Sequence, residues 1–323
     1  MKNILGIVAG DPISINSEII AKTWKKRSQF KNLKIFIIGS LNLLKEQLKV
    51  QNIKIKLKKI NSLKFKHSNN DLLVYDIPIK FEKPYHISRT NRSSYVLNCL
   101  NKAIRLSKER KIIGFINCSI NKNEIFRNKK FGVTEFLGNK LSISGEEGML
   151  IYNKNLSVLP LTTHISLKNV SKSISKENIV KKVMLINKFY MKFFKIKPKI
   201  GVLGLNPHND EFTQNSEEKK IIIPAINKVK KKRINVHGPL SADTAFLKLK
   251  ENDYDVLVGM YHDQVLSPFK ALFKFDAINI TIGLPFLRIS PDHGTGKDIL
   301  MKKKANPQSL IESIKFFKKY VEI

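Results

Sequence analysis

Short runs rich in Ile, Val and Leu alternate along this 323-residue chain with longer stretches whose apolar residues recur at spacings of three and four. That alternation constrains the fold more than any other feature. Residues 4–9, 34–38, 72–75, 112–117, 157–161, 200–205, 233–236, 256–259 and 277–282 read as strands, each near Gly, Pro, Asn or Asp. Residues 16–26, 41–48, 92–110, 175–194, 216–228 and 308–319 read as amphipathic helices. Parallel strands need a long crossover, usually a helix, so this order predicts a mainly parallel α/β sheet flanked by helices. The length is too great for one ordinary core and suits two domains or one large α/β unit.

In open parallel sheets, ligands bind beyond the carboxyl ends of the strands. The residues that follow the predicted strands are therefore informative. Gly10-Asp11-Pro12 follows the first, Thr162-Thr163-His164 the run 157–161, Asn206-Pro207-His208-Asn209-Asp210 the run 200–205, and Tyr261-His262-Asp263-Gln264 comes just after 256–259. The chain has seven histidines, and His164, His208 and His262 all closely follow predicted strands. One such histidine is an ordinary structural residue. Three in similar places match the donor set of a catalytic divalent-metal site with an open position, beside the plain reading of three structural histidines. Asp263 can serve as a further ligand or as a carboxylate behind His262. A metal suits oxidation of an alcohol, because it lowers the pKa of a bound hydroxyl.

A second polar constellation runs from Asn279 through Gly283-Leu284-Pro285 to Arg288, then Asp292-His293-Gly294-Thr295-Gly296. An Arg followed by such a turn can offer a guanidinium and backbone N–H groups to an anion. It also fits a plain surface loop with a solvated Arg. No G-x-G-x-x-G occurs, so a nicotinamide cofactor would have to be held without the usual dinucleotide fingerprint.

The net charge of +33 raises nucleic acid as a partner. Lysine is spread over the whole chain beside abundant Ile and Asn, as an AT-rich coding sequence would give, and no basic motif is interleaved with aromatics. No specific nucleic-acid partner is expected, although a phosphorylated small molecule would benefit from the field. No run approaches the roughly 20 apolar residues of a membrane helix, and the N-terminal MKNILGIVAGDP lacks a signal peptide's long apolar segment. The expectation is a cytoplasmic protein without membrane contact. Cys99 and Cys118 make no disulfide framework and read as buried small apolar residues.

Taken together, YHDQ at 261–264, Lys270, NITIGLPFLR at 279–288 and DHGT at 292–295 resemble the C-terminal signature of the 4-hydroxythreonine-4-phosphate dehydrogenase family. GDP at 10–12, INK at 120–122, TEFL at 134–137, TTH at 162–164, LGLNPH at 203–208 and HGPLSADTAF at 237–246 match further family blocks in order, over essentially the whole chain. The resemblance implies two α/β/α domains like those of isocitrate and isopropylmalate dehydrogenases, with the active site in the interdomain cleft. Residues 1–118 with 275–323 would form the cofactor-side domain, and 119–274 the central domain. It implies a homodimer whose sites use both subunits, NAD or NADP, and a divalent ion such as zinc, magnesium or cobalt. The substrate would be 4-phosphooxy-threonine, oxidised at C3 to a β-keto acid that decarboxylates to 3-amino-2-oxopropyl phosphate. Residue by residue, His164, His208 and His262 match metal ligands, and Thr134, Lys270, Asn279 and Arg288 match substrate contacts. Lys270 and Asp263 are the expected catalytic side chains, with a metal-bound hydroxide as an alternative base. His293, Gly294, Thr295 and Asn306 fall on the cofactor loop of the wider superfamily.

The chain departs from the family in places. The family's Gly-His-Thr-Glu is Gly132-Val133-Thr134-Glu135 here, and valine cannot donate to phosphate. Family glycines are replaced in the stretch Ile13-Ser14-Ile15-Asn16, in Asn209-Asp210-Glu211-Phe212 and at Val265. Asn and Asp tolerate left-handed backbone, whereas Ile, Val and Phe do so poorly. Drift with activity kept, a changed substrate such as phosphorylated threonate or erythronate, and a catalytically silent basic binding protein all follow as readings.

Overall fold

The structure is a computed structural model that describes residues 3–31, 33–64, 70–126, 132–247, 254–274 and 276–321. It forms two compact units, Met1–Lys130 with Pro285–Ile323, and Phe131–Leu284. The return to the first unit falls beyond residue 274, because the last strand before it pairs within the central unit.

In the first unit the strands are β1 Ile4–Val8, β2 Lys34–Gly39, β3 Leu57–Ile60, β4 Leu72–Asp76 and β5 Gly114–Asn117. In the second they are β6 Gly148–Tyr152, β7 Ser157–Thr162, β8 Ile200–Leu203, β9 Val236–Leu240, β10 Val256–Tyr261 and β11 Ile278–Ile282, and β12 Leu287–Pro291 returns to the first. The first unit's strands lie in the order β3-β4-β2-β1-β5-β12, every pair parallel. The second unit's order is β11-β6-β7-β10-β8-β9, antiparallel at β11–β6 and β6–β7 and parallel from β7 to β9. Successive strand residues point to opposite faces, and β1, β5 and β8 are buried at every position. Both faces of these sheets are therefore covered, as parallel sheets require. The expected mainly parallel α/β architecture is what forms.

Several elements escaped the sequence pattern. β3 carries Lys58 and Lys59 exposed between two apolar residues, as suits a sheet edge. β6 is a short apolar run after Gly145-Glu146-Glu147. β9 begins where the predicted 233–236 strand ends. Arg233 sits at φ +57° in a turn, and β9 instead runs through Gly238-Pro239 at the edge, where a proline costs no ladder bond. The helix His262–Phe273 contains Pro268, and the helix Val133–Lys140 is too short to show a strong period. The predicted helix 216–228 starts as a π-turn, Glu218–Ile222, that leads into Ile223–Lys230. No helix among the described residues is long and apolar enough to cross a membrane. Both cysteines are buried; burial pushes the Cys118 thiol up to about 12 and raises Cys99 too.

One ion pair organises the carboxyl edge of the first unit. Asp11 follows β1, and its carboxylate is held bidentately by Arg92 of the helix Arg89–Lys108, with both distances 2.7 Å. Asp11 also accepts from the backbone of Ile13 at 2.9 Å and of Asn121 at 3.0 Å, which ties the loop after β5 to the loop after β1. Arg92 donates in addition to Glu124, and Lys297 lies 3.3 Å from the other Glu124 oxygen. The Asp11 and Arg92 side chains are 0% and 5% exposed. Two charges so deeply desolvated are stable only as a pair. Arg92→Ala, which strands the Asp11 carboxylate, is expected to cost about 3–5 kcal/mol. Urea denaturation of the variant beside the parent chain checks this, and an unchanged midpoint would show that water reaches the pair.

Candidate active site

β7, β10 and β8 are neighbours and parallel, with Tyr261 opposite Thr162 and Val258 opposite Val202. Their carboxyl ends therefore lie side by side, and His164, His262 and His208 are on the segments that leave them. Two side chains tie these ends together. Thr162 Oγ1 donates to the Met260 carbonyl at 2.7 Å. Gln264 accepts from the Met260 backbone and donates to the Gly204 carbonyl, each at 2.7 Å, joining the ends of β10 and β8.

The His164 and His262 ring centres are 6.0 Å apart. Two imidazoles bound about 2.1 Å from one shared ion can take such a spacing. His262 Nδ1 lies 2.6 Å from Asp263 Oδ1. In the tautomer that donates to this carboxylate, Nε2 is left as the lone-pair donor, the arrangement usual behind a metal-bound histidine.

His208 is placed differently. Glu218, fully buried, accepts from the backbone of Leu205 at 2.7 Å and of Asn206 at 2.9 Å, and so fixes the chain just before it. His208 through Phe212 then all take left-handed backbone, with φ between +43° and +58°. Asn209 and Asp210 suit this conformation; Glu211 and Phe212 adopt it although each such residue costs about 1–2 kcal/mol. The His208 side chain is 73% exposed, with Nδ1 4.0 Å from Glu211 Oε1. Among the described residues no group of three His, Cys, Asp or Glu side chains is close enough to hold a metal. The structure thus brings His164 and His262 together and leaves His208 apart from them.

Beside this pair lies the turn at the start of the helix Val133–Lys140. A Cβ placed on Gly132 would stand 3.3 Å from His164 Nε2, so the turn runs directly against that ring. Thr134 is buried, and its Oγ1 is 3.1 Å from Thr281 Oγ1. Asn279, two residues before Thr281 on β11, projects from the same face, and its Oδ1 is buried without a hydrogen-bond partner among the described residues. Thr134, Thr281 and Asn279 form a polar strip with an acceptor to spare. Val133 is buried and apolar where the family carries histidine. Lys270 is exposed, eight residues and about 12 Å along its helix from His262. Val265 packs against Gly259, where a Cβ would come within 2.5 Å of it. The bulk gained at one position is thus accommodated by a glycine at another.

Arg288 belongs to the first unit, on β12, 2% exposed. Its Nε donates to Asn117 Oδ1 at 2.6 Å, which fixes the guanidinium plane. The expected cofactor loop is pinned by the first helix: Glu18 accepts from the Ala305 backbone at 3.0 Å, and Lys22 donates to the Lys303 and Ala305 carbonyls at 2.9 Å each. Ile15 N–H donates to the Thr295 carbonyl at 3.0 Å, and the Ile15 side chain packs under Gly296. Ile15, in the stretch where family glycines are replaced, therefore supports this loop. His293 Nδ1 is 2.8 Å from the Gly294 carbonyl, and its buried Nε2 has no hydrogen-bond partner among the described residues. Space is open above Gly294. A ligand with a donor group could be received there. Asn306 has a local duty: its Oδ1 accepts from the Gln308 backbone at 2.9 Å, at the start of the last helix.

Sequence reasoning passed over Glu135, Gln264, Glu218, Thr281 and Asn117, which hold the expected residues in place. Thr281 was within reach through strand alternation from Asn279, and Glu135 through its position three residues after Gly132. The other three act through contacts distant in sequence.

Residues 31–317 match the family of the pyridoxal phosphate biosynthetic protein PdxA. The chain is 40% identical over 316 residues to a 4-hydroxythreonine-4-phosphate dehydrogenase of Sulfurihydrogenibium sp. (strain YO3AOP1), covering 96% of each chain. It is 30% identical to a D-threonate 4-phosphate dehydrogenase of Pectobacterium atrosepticum, over 97% of this chain and 98% of that relative. Among solved structures, it superposes on a 4-hydroxythreonine-4-phosphate dehydrogenase from Klebsiella pneumoniae with a TM-score of 0.87 at 28% identity, covering 100% of this chain and 99% of that one. It shares the fold of an isocitrate dehydrogenase from Methylococcus capsulatus, with a TM-score of 0.52 at 10% identity over 99% of this chain and 86% of that one.

Burial lowers the pKa of His293 below its ordinary 6.5, outweighing the Gly294 carbonyl and Asp292, which act the other way. The unfolded chain then binds this proton more readily than the folded one. The stabilising contribution is present above pH 6.5 and is lost as pH falls through the lowered folded value. NMR titration is expected to give His293 a midpoint below 6.5, and His293→Gln to lessen the loss of stability on acidification. A midpoint at or above 6.5 would show the ring to be hydrated.

Proposed function

The chain belongs to the family of the pyridoxal phosphate biosynthetic protein PdxA, and from that premise we propose that it oxidises the C3 hydroxyl of 4-hydroxythreonine 4-phosphate with NAD or NADP. NAD or NADP, when bound, would supply the acceptor for the C3 hydride, and the hydroxyl proton would leave to a base. The resulting β-keto acid loses carbon dioxide to give 3-amino-2-oxopropyl phosphate. The observation that carries this reading within the fold is the meeting of His164 and His262 at the ends of neighbouring parallel strands, with Asp263 behind one of them.

These two imidazoles would hold a divalent ion such as zinc, magnesium or cobalt, and His208, which stands apart from them within one chain, is assigned as the further ligand through a second subunit. When bound, the ion would polarise the substrate hydroxyl and later the ketone. The protein's own groups do the rest. Asp263 holds His262 in one tautomer. Thr134, with Thr281 behind it, and Asn279 offer hydrogen bonds to the polar groups of the substrate. Arg288, fixed by Asn117, offers a guanidinium to a carboxylate or phosphate. Lys270 supplies a cation and a candidate proton acceptor. The distance of Lys270 along its helix from His262 and the separate position of His208 favour a homodimer in which two subunits complete each site. His293, Gly294, Thr295 and Asn306 are assigned to the cofactor, with the unpartnered His293 Nε2 as the acceptor for a ligand donor. The enzyme would work in the cytoplasm.

Val133 supports a second reading. It removes a donor from the turn beside His164, and a relative 30% identical bears the name D-threonate 4-phosphate dehydrogenase. An assay of reduced-cofactor formation with 4-hydroxythreonine 4-phosphate, and in parallel with D-threonate 4-phosphate, decides between the two. The expected result is metal-dependent turnover of the first at the higher kcat/KM. Preference for threonate would move the assignment to the second reading, and a folded, metal-loaded chain inactive on both would sink both. His262→Ala and His164→Ala are each expected to lose bound zinc on metal analysis; retained zinc would dismiss the pair as ligands.

A further inference from the structure

The Glu135 carboxylate joins two segments that the proposed reaction uses. Its Oε2 accepts from the Gly132 backbone N–H at 2.8 Å, and its Oε1 accepts from Thr163 Oγ1 at 3.1 Å. The first contact alone would be an ordinary helix cap, in which a side chain three residues on reaches back to the residue before the helix. The second contact is not part of any cap. Thr163 lies on the segment leaving β7, immediately before His164. Gly132 sits against the same histidine, since a Cβ there would be 3.3 Å from His164 Nε2 and 2.6 Å from Glu135 Oε2. Thr134, one residue before Glu135, makes its hydrogen bond to Thr281 on β11.

From this geometry we infer that Glu135 is a positioning residue that locks the Gly132–Thr134 turn to the His164 segment and so sets the distance between metal ligand and substrate contact. The inference rests on the metal-dependent reading proposed above. A carboxylate suits the task because it accepts two hydrogen bonds at once on separate oxygens. Lys182, on the helix Lys176–Phe193, lies within the field of Glu135 and Glu147 and donates to the Gly145 and Glu147 carbonyls, so a cation also faces this corner. Burial pulls the Lys182 pKa down, while the two carboxylates act in the opposite sense. With Val133 unable to donate, more of the alignment at this turn falls to the backbone that Glu135 holds.

The test is Co²⁺ binding by titration calorimetry, together with kcat and KM for 4-hydroxythreonine 4-phosphate, on the full chain. Glu135→Ala is expected to weaken Co²⁺ binding about tenfold, the low end for loss of a group supporting a metal ligand. Its KM should rise at least as much as kcat falls. Glu135→Gln should recover most of the affinity, because its Oε1 can still accept from Gly132 while its amide donates to Thr163. Thr163→Val, which cuts one arm only, should fall between Glu135→Ala and the parent. A role confined to capping the helix would lower the melting temperature of Glu135→Ala and leave Co²⁺ affinity and KM unchanged; that result overturns the inference. A glutamine variant as weak as the alanine variant overturns it as well. If Glu135→Ala does not fold, Thr163→Val with parental Co²⁺ affinity and KM overturns it. A parent chain that binds no Co²⁺ defeats the metal-dependent reading and the inference together, whereas a parent that binds and a Glu135→Ala variant that binds equally defeat the inference alone.

Discussion

Parallel strands end on one side of their sheet, and in the central unit this constraint makes everything else possible. β7, β10 and β8 lie side by side in register, so segments nearly a hundred residues apart in sequence leave the sheet at neighbouring points. Backbone pairing aligns the strands, but it does not aim the loops. Thr162 and Gln264 bond one strand end to the next, and Asp263 holds His262. Each of these contacts is an ordinary hydrogen bond. Their value lies in orientation, since they fix neighbouring strand ends relative to one another.

The first unit meets the same need by a different route. There the loops after β1 and β5 are drawn together by a buried carboxylate and guanidinium, Asp11 and Arg92, with Glu124 and Lys297 continuing the chain of charges. Burying two charges is expensive, and an apolar pair of equal volume often gives equal or greater stability. What a bidentate pair adds is one geometry. Glu18 and Lys22 pin the segment at 303–305 in the same spirit, by bonds to backbone rather than by packing. In both units the loops beyond the strand ends are held by polar groups, while the apolar core stays with strands and helices.

The chain's departures from its family read differently once their surroundings are known. Val265 replaces a glycine, yet it is buried against a glycine that remains, Gly259. That loss is compensated by packing. Asn209 and Asp210 adopt the left-handed backbone that their types allow, but Glu211 and Phe212 adopt it too, a conformation that side chains of their kind rarely take. Val133 is buried with nothing polar to offer.

Much was legible from the sequence because it depends on local pattern. Alternating β-branched runs and amphipathic stretches dictate a parallel α/β sheet, and polar residues just after the runs at 157–161, 200–205 and 256–259 stand at its strand ends. The motif blocks carry the family. Strands such as β3 and β6 were not legible, because a short edge strand with outward lysines and a brief apolar run have no period of their own. Nor were the ties made by Gln264, Glu218 and Asn117, or that of Glu135 to Thr163, whose partners are chosen by the fold. The sequence by itself determined which side chains stand at the strand ends. The tertiary structure alone decided that His164 and His262 meet while His208 stands apart, because ring separation depends on strand order, register and loop backbone, and none of these is encoded within a single segment.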